Sequence, residues 1–317
     1  MLEPYPCKVA FVGAGFMASE HLKAFKDIPG VELSGIFSRS ADRAEKLAQT
    51  FGILTVCSSI AELYEKTGAH LLVIAVPELS VRTVCIEAFE FPWVCLVEKP
   101  AGYNLSDAKS ILESAEVLKR RAYVAMNRRH YSSTRGVVND LKSSVSQRLI
   151  HVFDQEDPAA ALKAGRPEEV VKNWMYANAI HVIDYFRVLG RGEITSVEPI
   201  VRWQSDRPSF VLAKLSFSSG DIGIYEAVWN GPGPWAVTVA TQEKRWEMRP
   251  LEQSSVQVYG SRKVDMMPTH PWDSEFKAGL RLQAEEAVKA VQLQPTMLPT
   301  LNEAFETMKL VGAIYEA

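Results

Sequence analysis

Over the first 125 residues, short runs that are apolar throughout alternate with stretches of helical spacing. Strands are predicted at residues 8–12, 31–37, 54–56, 71–76, 93–97 and 122–125. Helices are predicted from the Gly13–Ala18 segment to about Lys26, and at 41–50, 60–66, 81–89 and 105–119. Continuous apolar strands between amphipathic helices indicate a parallel sheet covered on both faces. Beyond about Met126 the pattern changes. A strand at 149–153 precedes a polar, charged stretch from Asp154 to Lys172, and a helix follows at about 179–189, closed by Gly190. Strands then come in succession at 197–203, 210–217, 222–229, 236–240 and 256–259, before helices at about 274–291 and 301–315. Successive strands with few helices between them indicate an antiparallel α+β domain. The expected division is therefore 1–125 and 126–317.

Composition narrows the function classes. The 317 residues are roughly twice the length usual for one domain. Thirty-five basic residues against 38 acidic ones give a net charge of −3, with no basic excess to serve a nucleic-acid binder. No apolar run approaches the ~18 residues needed to cross a bilayer, and the first six residues lack the pattern of a signal peptide. Cys7, Cys57, Cys85 and Cys95 lack metal-ligand spacing and read as buried, reduced thiols. The expectation is a soluble, cytoplasmic protein without a nucleic-acid, membrane or metal partner.

The first strand runs into Gly13-Ala14-Gly15-Phe16-Met17-Ala18, the dinucleotide fingerprint GxGxxG/A in its alanine form. Gly13 permits the tight turn, Gly15 admits a pyrophosphate close to the backbone, and Ala18 allows the helix to pack on the strand. The helix N-terminus then presents free N–H groups to the anion. A strand before it, a helix after it and a second strand ending about twenty residues on supply the required context. That second strand ends in Ser38-Arg39, with Arg43 one turn further, where an NAD site usually carries Asp or Glu. A hydroxyl and guanidinium would hold a 2′-phosphate, which favours NADP. Arg39 stacked on adenine would also serve NAD. Val76 and Pro77, at the end of the fourth predicted strand, are expected beside the cofactor.

At the end of the fifth strand stands Glu98-Lys99-Pro100, and the carboxyl ends of parallel strands are where ligands bind. Asn178, His181 and Asp184 are spaced by three and share a face of a predicted helix. With the glycine loop, Ser38-Arg39-Ser40, Asn127-Arg128-Arg129, the His181–Asp184 segment and Trp229-Asn230-Gly231-Pro232-Gly233-Pro234-Trp235, these features resemble the glucose–fructose oxidoreductase/inositol dehydrogenase/MocA (Gfo/Idh/MocA) family. The resemblance covers nearly the whole chain, and the Glu-Lys-Pro tripeptide is its most specific element.

The resemblance implies an α/β Rossmann domain and an α+β domain with a large, open, mostly antiparallel sheet, whose outer face often makes homodimers or homotetramers. It implies an NAD(P)-dependent oxidoreductase moving a hydride between nicotinamide and a carbinol or carbonyl carbon of a sugar, polyol or nucleotide-linked sugar. Lys99 matches the family lysine that touches the nicotinamide ribose and the reacting oxygen, and His181 the family proton carrier; Glu98 is expected at the cofactor. Arg128, Arg129, Trp174, Asn178 and Asp184 are expected around the substrate. Many members carry Asp four residues before the histidine; here that position is Ala177. Asn178 or Asp184 could take over its role. A non-sugar substrate (a dihydrodiol or an imine) and a cofactor-binding redox sensor without turnover remain as alternatives.

Overall fold

The computed structural model describes residues 6–316. The expectation about a leader segment concerns residues 1–6, of which 1–5 lie outside the described residues. The first unit opens with β1 (Cys7–Val12), α1 (Phe16–Lys26), β2 (Val31–Phe37), α2 (Ala41–Phe51), β3 (Val56–Cys57) and α3 (Ile60–Thr67). It continues with β4 (Leu71–Ile74), α4 (Val81–Phe89), β5 (Val94–Glu98), α5 (Leu105–Val117) and β6 (Ala122–Ala125). The strands pair in parallel in the order β3-β2-β1-β4-β5-β6, the doubly wound order of dinucleotide-binding sheets. β4 and β5 are buried along their whole length, as helices on both faces require of β4 and of the apolar run Val94–Val97 that precedes Glu98.

The second unit begins with α6 (Ser132–Leu141) and β7 (Leu149–Glu156), followed by α7 (Pro158–Lys163) and α8 (Glu168–Lys172). One π-helical turn, Met175–Ala179, then leads into α9 (Ile180–Ile183) and α10 (Tyr185–Leu189). The rest of the sheet is β8 (Ile194–Val201), β9 (Phe210–Phe217), β10 (Ile222–Trp229), β11 (Ala236–Ala240), β12 (Lys244–Met248), β13 (Ser254–Val258) and β14 (Val264–Met266). Its order is β14-β13-β12-β11-β7-β10-β9-β8, antiparallel except between β7 and β10. One face is buried, including Ile150 and Val152 of β7, Val211, Ala213 and Leu215 of β9, and Tyr225 and Ala227 of β10. The opposite face leaves Leu149, Ile200 and Phe210 exposed.

Two expectations are corrected here, on β7 and on the division of the chain, and the segment between β7 and the π turn is resolved. β7 runs three residues further than predicted, because its period-2 alternation continues through polar residues: Asp154 and Glu156 point to the same buried face as Ile150 and Val152. The polar stretch after it is two short helices, α7 and α8. Lastly, the chain divides after Asn127 rather than 125, and residues 272–305 return to the first unit. That returning segment carries α11 (Trp272–Glu275) and α12 (Leu280–Val291), while α13 (Leu301–Tyr315) is shared by the two units at 305/306. Leu280, Ala284, Ala287 and Val288 of α12 join the core of Val9, Phe11, Leu22, Phe25, Leu71 and Leu96. An apolar helix face of this kind must be buried somewhere, and the first sheet supplies the partner.

The four cysteines are buried and unbonded, and burial pushes the Cys7 thiol up to about 11. In the second unit, Asp221 ties three segments together. It accepts from the amides of Arg148 (2.9 Å) and Arg191 (3.0 Å) and from the Arg191 guanidinium (2.6 Å). Burial would raise its pKa, but hydrogen bonds from Arg191 and the two amides more than offset that, and the carboxyl lies below its usual value. Its stabilisation is therefore present above the unfolded carboxylate range and lost as pH falls through the depressed folded value. Asp221→Asn is expected to cost about 2–4 kcal/mol at neutral pH in urea unfolding. The gap from wild type should narrow as the pH is taken below the ordinary aspartate range.

Candidate functional site

In the first unit, β1 ends at Val12 and the chain turns at Gly13, whose φ of +112° disfavours any side chain. A Cβ there would stand 2.1 Å from the Ala75 carbonyl oxygen and 3.3 Å from Val76 Cγ1, so only glycine lets the loop lie against the end of β4. The Gly13 amide donates to the Phe37 carbonyl (2.8 Å), which brings the loop to the end of β2, where Ser38 and Arg39 follow. Gly15 faces open space and starts α1 without a side-chain cap, while Ala18 is buried and Phe16 exposed. An uncapped helix start fronted by a residue with no Cβ fits a pyrophosphate. Gly13, Ala14, Gly15, Phe16 and Met17 thus form one continuous cradle, with Val76 and the exposed Pro77 at its side. Ser38 accepts from the Ser40 amide (3.3 Å), and the Arg39 and Arg43 side chains are exposed at the start of α2.

At the end of β5, Glu98 is buried with both oxygens engaged. Oε1 meets His21 Nε2 of α1 at 2.7 Å, and Oε2 accepts the Lys99 amide at 3.1 Å. The carboxylate therefore locks the turn to α1. His21 was not singled out by the sequence, although it falls on the same buried stripe as Ala18, Leu22 and Phe25. Lys99 is half-buried, and the Lys99–Pro100 peptide bond is cis. Asn104 closes this segment by capping α5 through the Asp107 amide (2.8 Å).

In the second unit, His181 sits half-buried on α9, immediately after the π turn. Single π turns inside helices recur at functional sites. Asn178, within that turn, donates from Nδ2 to Glu156 Oε2 at 2.8 Å. Glu156 is fully buried beside Asp154, its neighbour on the same face of β7. Burial and the Asp154 charge push the Glu156 carboxyl well above the carboxylate range, against the pull of Asn178 and Trp174. Burial also raises Asp154, opposed by the Tyr225 hydroxyl, Glu156, Arg128 and the Gln155 amide. The Tyr225 hydroxyl donates to Asp154 Oδ2 (2.7 Å) and pairs with the Tyr315 hydroxyl (2.7 Å), which accepts from Trp229 Nε1 (3.2 Å). The polar stretch predicted from Asp154 onward thus begins inside the sheet, and the alternation with Ile150 and Val152 is the signal that places Asp154 and Glu156 there.

The other expected substrate residues separate. Asp184 is buried, bound by Arg129 Nε and Nη2 at 2.6 and 2.7 Å and by the Thr307 hydroxyl at 2.9 Å. The bidentate Arg129 pair ties Asp184 to the segment before α6, and the Thr307 hydroxyl ties it to α13. The Arg128 guanidinium stacks over Trp235 (4.4 Å to the ring centroid), and its charge favours ionised Asp154. Trp174 and Asn178, by contrast, come together at Glu156. A largely apolar cavity of about 390 Å³ lies among α7, α8 and the strand ends, walled by Leu162, Val171, Trp203 and Trp229. No cluster of metal-binding side chains and no helix long and apolar enough to cross a membrane occurs among the described residues.

Residues 7–126 match the family described as Oxidoreductase family, NAD-binding Rossmann fold (GFO_IDH_MocA). The match covers the Rossmann segment of the first unit and is to the family that the motifs resemble. Glucose-6-phosphate 3-dehydrogenase of Bacillus subtilis is 30% identical over 44% of this chain and 37% of its own length. Inositol 2-dehydrogenase 1 of Paenarthrobacter aurescens is 24% identical over 60% and 56%. A 4-carboxy-2-hydroxymuconate-6-semialdehyde dehydrogenase of Sphingobium is 22% identical over 56% and 58%. The matched region thus spans between 37% and 58% of these relatives' lengths. The fold as a whole is that of levoglucosan dehydrogenase in complex with NADH and levoglucosan (TM-score 0.81, 17% identity, 98% and 96% of the two chains). It is shared with UDP-N-acetylglucosamine 3-dehydrogenase of Acidithiobacillus ferrooxidans (TM-score 0.78, 14% identity, 98% and 97%).

Gly13→Ala tests the cradle: the added methyl meets the Ala75 carbonyl, so NADH affinity is expected to fall roughly tenfold or more. The measurement is quenching of protein fluorescence by NADH, and an unchanged dissociation constant would remove the loop from the binding site.

Proposed function

We propose that this protein is an NAD(P)-dependent oxidoreductase that moves a hydride between nicotinamide and a carbinol or carbonyl carbon of a sugar, polyol or nucleotide-linked sugar. The observation that carries the reading is the placement of Glu98-Lys99-Pro100 at the carboxyl end of β5, in a sheet whose β1 end carries the Gly13 cradle. The bound nicotinamide supplies the hydride acceptor or donor. Lys99 stabilises developing alkoxide charge on the reacting oxygen, and His181 takes or returns its proton. The Glu98–His21 pair fixes the backbone from which Lys99 projects. The named activities of the curated relatives from Bacillus and Paenarthrobacter support a sugar or polyol substrate.

NADP is the favoured cofactor and NAD the alternative, because Ser38, Arg39 and Arg43 stand where a ribose-binding carboxylate would exclude a phosphate. Association into a homodimer or homotetramer through the open face of the second sheet is supported by exposed Leu149, Ile200 and Phe210. A non-sugar substrate is the second reading, favoured by the similarity to the semialdehyde dehydrogenase of Sphingobium.

A panel of sugars, polyols, nucleotide sugars and semialdehydes, read by absorbance of the reduced cofactor, tests the substrate class. On an active compound, Lys99→Ala should lower kcat by roughly 10³-fold with cofactor affinity nearly unchanged. Turnover at the wild-type rate would sink the mechanism. Arg39→Asp is expected to weaken NADPH at least about tenfold relative to NADH. Equal loss for both cofactors would assign Arg39 to the adenine instead.

A further inference from the structure

Glu156 poses a chemical question of its own. Its Oε2 accepts from Asn178, yet Oε1 is buried and makes no well-formed hydrogen bond among the described residues, the nearby Trp174 indole N–H included. A buried carboxylate oxygen left in this way would cost several kcal/mol. The neighbouring Asp154 is differently placed: it accepts the Tyr225 hydroxyl at Oδ2 and the Gln155 amide at Oδ1, at 2.7 and 2.8 Å. A Trp229–Tyr315–Tyr225 chain delivers that hydroxyl, and the Arg128 charge also favours ionised Asp154. Two like charges on adjacent residues of one buried face cannot both be sustained, so the pair holds one proton. With the Tyr225 hydroxyl and the Gln155 amide donating to Asp154 and the Arg128 charge beside it, the proton belongs on Glu156, which then donates to Asp154 and satisfies its own remaining oxygen. The groups facing the pair are Arg128, Gln155, Trp174, Asn178, Tyr225 and, through Tyr225, Tyr315.

We propose that Glu156 is a neutral buried acid that donates to Asp154, accepts from Asn178, and through that amide sets the π turn on which His181 follows. Glu156 is a positioning residue: it acts on the turn that carries His181 and touches no reacting atom. The inference rests on the reading of His181 as proton carrier only for its consequence in turnover. The protonation and the clamp stand on geometry within the second unit.

The test separates these parts. In infrared spectra of the whole protein at neutral pH, a protonated-carboxyl C=O band is expected in wild type and lost in Glu156→Gln. Glutamine is isosteric with the neutral acid and can donate to Asp154 while accepting from Asn178. The His181 imidazole resonance, assigned by its absence in His181→Ala, should therefore keep its position in Glu156→Gln. It should move and broaden in Glu156→Ala and in Asn178→Ala, which releases the same clamp should the first fail to fold. Absence of the protonated band in wild type, or an unmoved His181 resonance in the clamp-breaking variants, overturns the proposal. Full turnover by His181→Ala on an active compound would instead overturn the catalytic reading and leave the clamp standing.

Discussion

A carboxyl group taken out of water must be answered by a cation, by hydrogen-bond donors or by a proton, and the solutions to that constraint organise both units. An ion buried without a partner costs several kcal/mol, a large fraction of a domain's net stability. Glu98 is answered by His21 and the Lys99 amide, Asp184 by Arg129 and Thr307, and Asp221 by Arg191 and two amides. Each answer crosses between elements: β5 to α1, α10 to α13, and the β9–β10 turn to the segments before β7 and β8. The buried acids therefore mark where separate stretches of chain are held in register, which apolar contact alone specifies less sharply.

The same constraint sorts the polar residues by role. Glu98 and Asp184 have their oxygens filled from within their own units, so they support the site without competing for ligand. Lys99 and His181 stand on segments fixed by such pairs. In the reaction proposed above they are the reacting groups, and such a group must be held in place by its surroundings while keeping its own chemistry available. In the first unit the fixing is steric as well: the Ala75 carbonyl occupies the space a side chain at residue 13 would need. The result is a glycine loop whose backbone has little room to vary and, at the end of β5, a lysine whose backbone is held by a buried carboxylate. In the second unit, polar hydrogen-bonded contacts do the corresponding work around the π turn.

Much of this was legible from residue order. The Rossmann strands follow from uninterrupted apolar runs, and the glycine loop from a spacing that leaves few backbone alternatives. Lys99 was recognisable because the tripeptide and its place after a strand occur together. The second unit was less transparent. β12 and β14 are short, polar-rich strands whose pattern does not stand out locally, and α6 carries only a weak apolar stripe. Predicted residues 274–291 hold two helices separated at Gly279, which adopts a positive φ.

The order of residues by itself determined the parallel sheet, the nucleotide loop, the lysine shoulder after β5 and the absence of a carboxylate at Ala177, because each depends on neighbours in the chain or on backbone freedom at one position. Tertiary structure alone decided the partners of the buried acids. It gave Glu98 to His21 across 77 positions of sequence, Asp184 to Arg129 across 55 and Asn178 to Glu156 across 22. Desolvation depends on everything packed around a group, and the side chains that meet a buried carboxyl come from elements that spacing cannot bring together.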